Sequence, residues 1–210
     1  MLPNYFTVKQ EGSDEVVIQK SRFIGYVKRV ETEEEAQLFI HSIKKKHHDA
    51  THNCSAYMIG ERDQIQKAND DGEPSGTAGV PILEVIKKRQ LKDTAVVITR
   101  YFGGTKLGAG GLIRAYSSTT SQAINTTGVV ERRLMKEIFV TADYSLLGKL
   151  ENVLINSSYI LDHIEYLDTV RLSIFVEEGK QEEFTNWIID LTSNQVELAD
   201  GTTKYLEIDV

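Results

Sequence analysis

The sequence predicts an α+β protein of two units, and three observations carry that prediction. The last third alternates strand and helix patterns in the order β-α-β-β-α-β. The preceding residues mix strands and helices without a regular βα repeat. Charge also divides unevenly. Residues 1–134 hold 19 Lys and Arg against 16 Asp and Glu, whereas residues 135–210 hold 5 against 15, in a chain of net charge −7. Such a split suggests two units, 1–134 and 135–210, with different partners. The acidic unit is the poorer candidate for phosphate contacts, because like charges repel.

Taken in order, Val16-Val17-Ile18 and Phe23-Ile24-Gly25-Tyr26-Val27 predict two strands. Thr32 with Glu35 forms a capping-box pattern. Ala36, Phe39, Ile40 and Ile43 then recur at helical spacing, and Lys44-Lys45-Lys46 complements the dipole at the helix end. A strand follows at 51–59, where alternation puts His52, Cys54, Ala56 and Met58 on one side. His52 and Cys54 could serve as base and nucleophile if a third group orients the His. Packing is the plainer reading of a lone Cys.

Residues 69–81, Asn-Asp-Asp-Gly-Glu-Pro-Ser-Gly-Thr-Ala-Gly-Val-Pro, form a loop on composition. Asp70, Asp71 and Glu73 could hold one Mg²⁺ beside a phosphate, or simply make a solvated turn. Ser75 or Thr77 is a candidate cap for the helix carrying Ile82, Val85 and Ile86.

Strand 94–98 runs into the glycine-rich stretch 99–116, Thr-Arg-Tyr-Phe-Gly-Gly-Thr-Lys-Leu-Gly-Ala-Gly-Gly-Leu-Ile-Arg-Ala-Tyr. A glycine loop feeding a helix N-terminus presents free N–H groups and the positive dipole end to an anion. Arg100, Gly103, Gly104, Lys106, Gly108, Gly110, Gly111 and Arg114 are the candidate anion-binding set. The bland reading is a tight turn with close strand–helix packing. The loop fits neither the P-loop pattern nor G-x-G-x-x-G, so it names no nucleotide. The helix stops at Gly128, and 129–133 reads as the seam between units.

In the acidic unit, strands are expected at 138–141, 159–166, 169–176 and 204–208. Helices are expected around Leu146, Leu150, Val153 and Leu154, and around Phe184, Trp187, Ile188 and Leu191. That order is the ferredoxin-like motif.

Composition excludes several classes. No apolar run approaches the roughly 20 residues of a membrane span. The start, Met1-Leu2-Pro3-Asn4-Tyr5, lacks the features of a secretory signal. One cysteine, Cys54, excludes an internal disulfide and a multi-cysteine zinc site. A cytoplasmic protein without membrane association is the expectation, and no motif asks for a cofactor.

The stretches 70–79 and 99–116, with His52-x-Cys54 and Ser21-Arg22-Phe23-Ile24, closely resemble the signatures of the IMPACT family in its bacterial YigZ branch. The resemblance covers essentially the whole chain. It implies a first domain similar to the second domain of ribosomal protein S5. It also implies a ferredoxin-like second domain similar to the last domain of elongation factor G. Eukaryotic members regulate translation, so it implies a translation-linked role. No agreed catalytic residues come with it.

Two functional expectations follow. One is a non-enzymatic, translation-linked binding protein contacting RNA or a ribosome-associated protein through its first domain. The other is a metal-assisted enzyme acting on a phosphorylated small molecule or nucleotide held at the glycine loop.

Overall fold

The first element of the computed structural model, which describes residues 1–210, is a strand with no counterpart in the sequence pattern, β1 (Asn4–Val8). The hairpin β2 (Gly12–Ile18) and β3 (Ser21–Arg29) follows. Its two-residue turn puts Gln19 and Lys20 at φ 44° and 69°. A left-handed conformation at both positions matches strand twist, but side chains adopt it reluctantly.

Helix α1 (Glu33–Lys46) starts as its cap pattern predicts, the Glu35 N–H donating to Thr32 Oγ1. After it come β4 (His52–Ile59), β5 (Ile65–Asn69), α2 (Gly79–Lys88), β6 (Thr94–Tyr101) and α3 (Gly108–Thr127). Strand β5 escapes the sequence reading because Ile65-Gln66-Lys67-Ala68-Asn69 lies on a sheet edge and is almost wholly exposed.

The sheet order is β2-β3-β6-β4-β5, with every neighbouring pair antiparallel. Side-chain alternation along central strand β6 divides it between two cores. Ala95 and Val97 join Tyr57, Ile59 and the apolar stripe of α1. Val96 and Ile98 join Cys54, Ala56 and Met58 beneath α2 and α3. Burying Phe39, Ile40 and Ile43 stabilises the α1 side by about 1.5–3 kcal/mol each relative to exposure. Helix α3 ends at Gly128, φ 77°, as expected.

The second unit contains β7 (Val129–Ala142), α4 (Tyr144–Ile155), β8 (Ile160–Tyr166), β9 (Val170–Glu177), α5 (Gln181–Thr192) and β10 (Val196–Asp209). Its strands lie in the order β10-β7-β9-β8, the ferredoxin-like arrangement. The α+β expectation therefore stands. The first and last strands of the motif in sequence, β7 and β10, are longer than predicted. The seam expected at 129–133 runs through continuous strand, with Val130 and Glu131 buried.

By compactness the chain divides into residues 5–131 with 209–210, and residues 132–208 with 1–4. The first four residues thus belong to the ferredoxin-like unit. There Tyr205 Oη donates to the Leu2 carbonyl at 2.8 Å and the Leu134 N–H to the Pro3 carbonyl at 2.8 Å.

Candidate cleft at the start of the third helix

Strand register sets the floor of the site. His52 on β4 pairs with Arg100 on β6, two positions beyond the pair Cys54–Ile98. All four side chains point to the face that carries α2 and α3. Loop 70–78 and the N-terminus of α3 complete a cleft of about 430 Å³. Its walls include His52, Glu73, Arg100, Phe102, Lys106 and Gly108. That volume suits a small ligand or one nucleotide of a polymer.

The three carboxylates proposed as metal ligands do not converge. Asp70 turns back on its own loop and accepts from the N–H groups of Gly76, Ala78 and Gly79 at 2.8–3.0 Å. Burial pushes its carboxyl up. The three donors outweigh that effect and hold it below the ordinary 3.8. Asp70 thus does the capping expected of Ser75 or Thr77. Thr77 instead donates to the Pro74 carbonyl, and α2 has no side-chain cap at its own first position. Asp71 pairs with Lys44 at 2.6 Å and accepts from the Asn53 N–H at 2.7 Å. Of the three, only Glu73 reaches the cleft. No group of three His, Cys, Asp or Glu side chains suited to a metal ion is present.

Glu73 Oε1 accepts from Arg100 Nη1 at 2.6 Å and from Tyr116 Oη at 2.8 Å. Arg100 is 5 % exposed, and its second amino group reaches Ser21 Oγ at 3.3 Å. Most of its charge is therefore spent inside the protein. As a free anion contact Arg100 is a misreading, because alternation places it on the same buried face as Val96 and Ile98. Its Nε is buried without a partner.

Cys54 is fully buried, its thiol 2.9 Å from the Asp70 carbonyl and 3.3 Å from Tyr116 Oη. Burial pushes the thiol up to about 12, only partly relieved by the Tyr116 hydrogen bond. A thiol in that state is no nucleophile at neutral pH. Burial likewise raises Tyr116, reinforced by Cys54 and Glu73 beside it. His52 does have an orienting group, the Asp71 carbonyl, 2.8 Å from Nδ1. A carbonyl can only accept, so Nδ1 carries the hydrogen and Nε2 turns elsewhere. Nε2 lies 3.8 Å from Glu73 Oε2.

The glycine loop divides by role. Gly103 is structural: a Cβ there would sit 1.9 Å from the Lys20 carbonyl oxygen, and its N–H donates to Ser21 Oγ. Gly104 and Gly108 adopt φ 85° and 70° with open space around them. Gly110 and Gly111 lie in the first turn of α3, which has no side-chain cap at Leu107. Lys106 is exposed and lines the cleft. Arg114 is exposed further along α3, beside Gly110, and does not line it. Phe102, 46 % exposed, is the wall residue that the sequence reading passed over. The available signal was a large aromatic placed immediately before Gly-Gly at a strand end.

Fold and site define a class: a three-layer unit with a cleft where a central strand hands over to a glycine-opened helix, joined to a ferredoxin-like unit. Comparison with known proteins gives the class a family. Residues 19–124 match the Impact N-terminal domain, and residues 140–195 match a domain of unknown function, DUF1949. The IMPACT family member YvyE of Bacillus subtilis is 58% identical over 207 residues, covering 99% of this chain and 95% of that protein. YigZ of Escherichia coli is 32% identical, covering 86% and 90%. Protein IMPACT of Mus musculus is 34% identical over 95 residues, covering 43% of this chain and 29% of that protein. A crystal structure titled as that of an hypothetical protein aligns over 96% of this chain and 99% of its own, with TM-score 0.61 and 27% identity. The chain belongs to the IMPACT family.

Proposed function

We propose that this is a translation-linked binding protein of the cytoplasm that holds RNA, or a ribosome-associated partner carrying RNA, at the cleft of its first unit. The observation that carries this reading is the uncapped, glycine-built start of α3 beside exposed Lys106 and Phe102 in one cleft. Unsatisfied N–H groups, the dipole and a free ammonium together suit a phosphate. An exposed aromatic supplies a stacking face that tolerates any base. Membership of a family whose eukaryotic members regulate translation supports the biological setting.

The test is RNA affinity measured across a salt series with the intact protein. Each phosphate neutralised on a single strand contributes a log–log slope of about −0.7. Lys106→Ala should make the slope shallower by about that amount without lowering stability. Unchanged affinity and slope in Lys106→Ala would refute the assignment. The metal-assisted reading loses two of its three proposed ligands, because Asp70 and Asp71 spend their carboxylates outside the cleft and Glu73 alone faces it.

A further inference from the structure

We infer that the cleft selects ribose over deoxyribose, with His52 Nε2 and Glu73 Oε2 as the acceptors that read a sugar hydroxyl. The inference rests on the RNA-binding reading and deepens it. Neither acceptor has a hydrogen-bond donor within the chain. Glu73 spends Oε1 on Arg100 and Tyr116, leaving Oε2 unused on a side chain only 3 % exposed. His52 commits Nδ1–H to the Asp71 carbonyl, so Nε2 is the ring atom left facing Glu73 and the cleft. The two atoms stand 3.8 Å apart, beyond a direct hydrogen bond. A hydroxyl seated beside them can donate its single hydrogen to either one.

The rest of the lining leaves the sugar to this pair. A phosphate is drawn to Lys106 and the start of α3, and a base to Phe102 and the apolar wall formed with Leu107 and Leu112. The group between phosphate and base is the sugar, and its 2′-hydroxyl is the donor that separates RNA from DNA. Glu73 accepts it without repelling the nearby phosphate strongly, because Arg100 already balances its charge. A ligand that shuts water away from these acceptors without supplying a donor leaves them unpaired, so the ligand lacking the hydroxyl is the one rejected.

The experiment compares single-stranded ribo-, deoxyribo- and 2′-O-methyl oligonucleotides of one sequence as competitors for the intact protein at fixed salt. The ribo-oligonucleotide should bind about tenfold more tightly than the other two. The 2′-O-methyl strand keeps RNA-like sugar geometry but lacks the hydroxyl hydrogen, so its weakness isolates that hydrogen. His52→Ala should lower only the ribo affinity, and Lys106→Ala should lower all three alike. Equal, salt-sensitive binding of all three strands would overturn the hydroxyl reading and leave RNA-backbone binding standing. Binding of none would overturn both. Tight binding of the 2′-O-methyl strand would assign the preference to strand shape and also refute the inference.

Discussion

Arg100 Nη1 lies 2.6 Å from Glu73 Oε1, and the two side chains are 6 % and 3 % exposed. This contact ties loop 70–78 to the end of central strand β6. Removing one partner strands a buried charge, which costs about 3–5 kcal/mol. Arg100→Ala and Glu73→Ala should each show that loss in urea unfolding. The double variant Arg100→Ala with Glu73→Ala should lose less than the sum of the two single losses, since it leaves no lone charge. Strict additivity of the two single losses would refute the coupling.

Gly103 and Gly104 are adjacent but should respond differently. A Cβ at Gly103 meets the Lys20 carbonyl oxygen at 1.9 Å, so Gly103→Ala must displace the β2–β3 turn. A loss above about 3 kcal/mol is expected, in the range of severe backbone conflicts. Gly104→Ala meets open space and bears only the cost of a positive φ, about 1 kcal/mol. Comparing the two melting temperatures checks the order.

Cys54 should resist alkylation by iodoacetamide at pH 8 in the folded protein and react at once in denaturant. Its thiol sits at about 12 against an ordinary 9.0, chiefly through burial. The unfolded chain therefore releases this proton first as pH rises. The stabilisation is complete below pH 9 and is lost as pH climbs from 9 to about 12, by about 1.4 kcal/mol per unit. Cys54→Ala should remove that part of the alkaline slope. A fast-reacting thiol at pH 8 would contradict the buried placement.

Asp70 predicts an acid limb of the opposite sense. Its carboxyl is held below 3.8 in the folded state, with burial opposing and the Gly76, Gly79 and Ala78 N–H groups prevailing. Its contribution is present above that value and lost as pH falls through the lowered one. Asp70→Asn should cost about 1–2 kcal/mol at neutral pH, as lost caps do. It should also flatten the acid side of the stability profile, which urea titrations from pH 7 to pH 2 would show.

Much of the fold was legible because local chemistry and tertiary packing agree. Thr32, the stripe Phe39-Ile40-Ile43, Gly128 and the rhythm of the acidic unit all marked their elements. Strands β1 and β5 escaped because short or exposed strands owe their existence to neighbours rather than to their own pattern. The site was half legible. Loop 70–78 and the glycine loop do share one cleft, through Glu73, Lys106 and Gly108. Carboxylates adjacent in sequence, however, diverge on a turn with Asp71 at φ 45°. The burial of Arg100 was available from strand alternation alone. The orientation of His52 was not, because its partner is a main-chain carbonyl that no side-chain pattern reveals.

The tie of Leu2 and Pro3 to Tyr205 and Leu134 bears on how the molecule can be dissected. A recombinant fragment begun at Arg132 would lack two carbonyl partners of its own fold. One ended at Glu131 would carry four residues that belong to the missing half. Restoring the leading tetrapeptide to the C-terminal fragment through a short linker, rather than a simple cut, is the way to obtain that half whole.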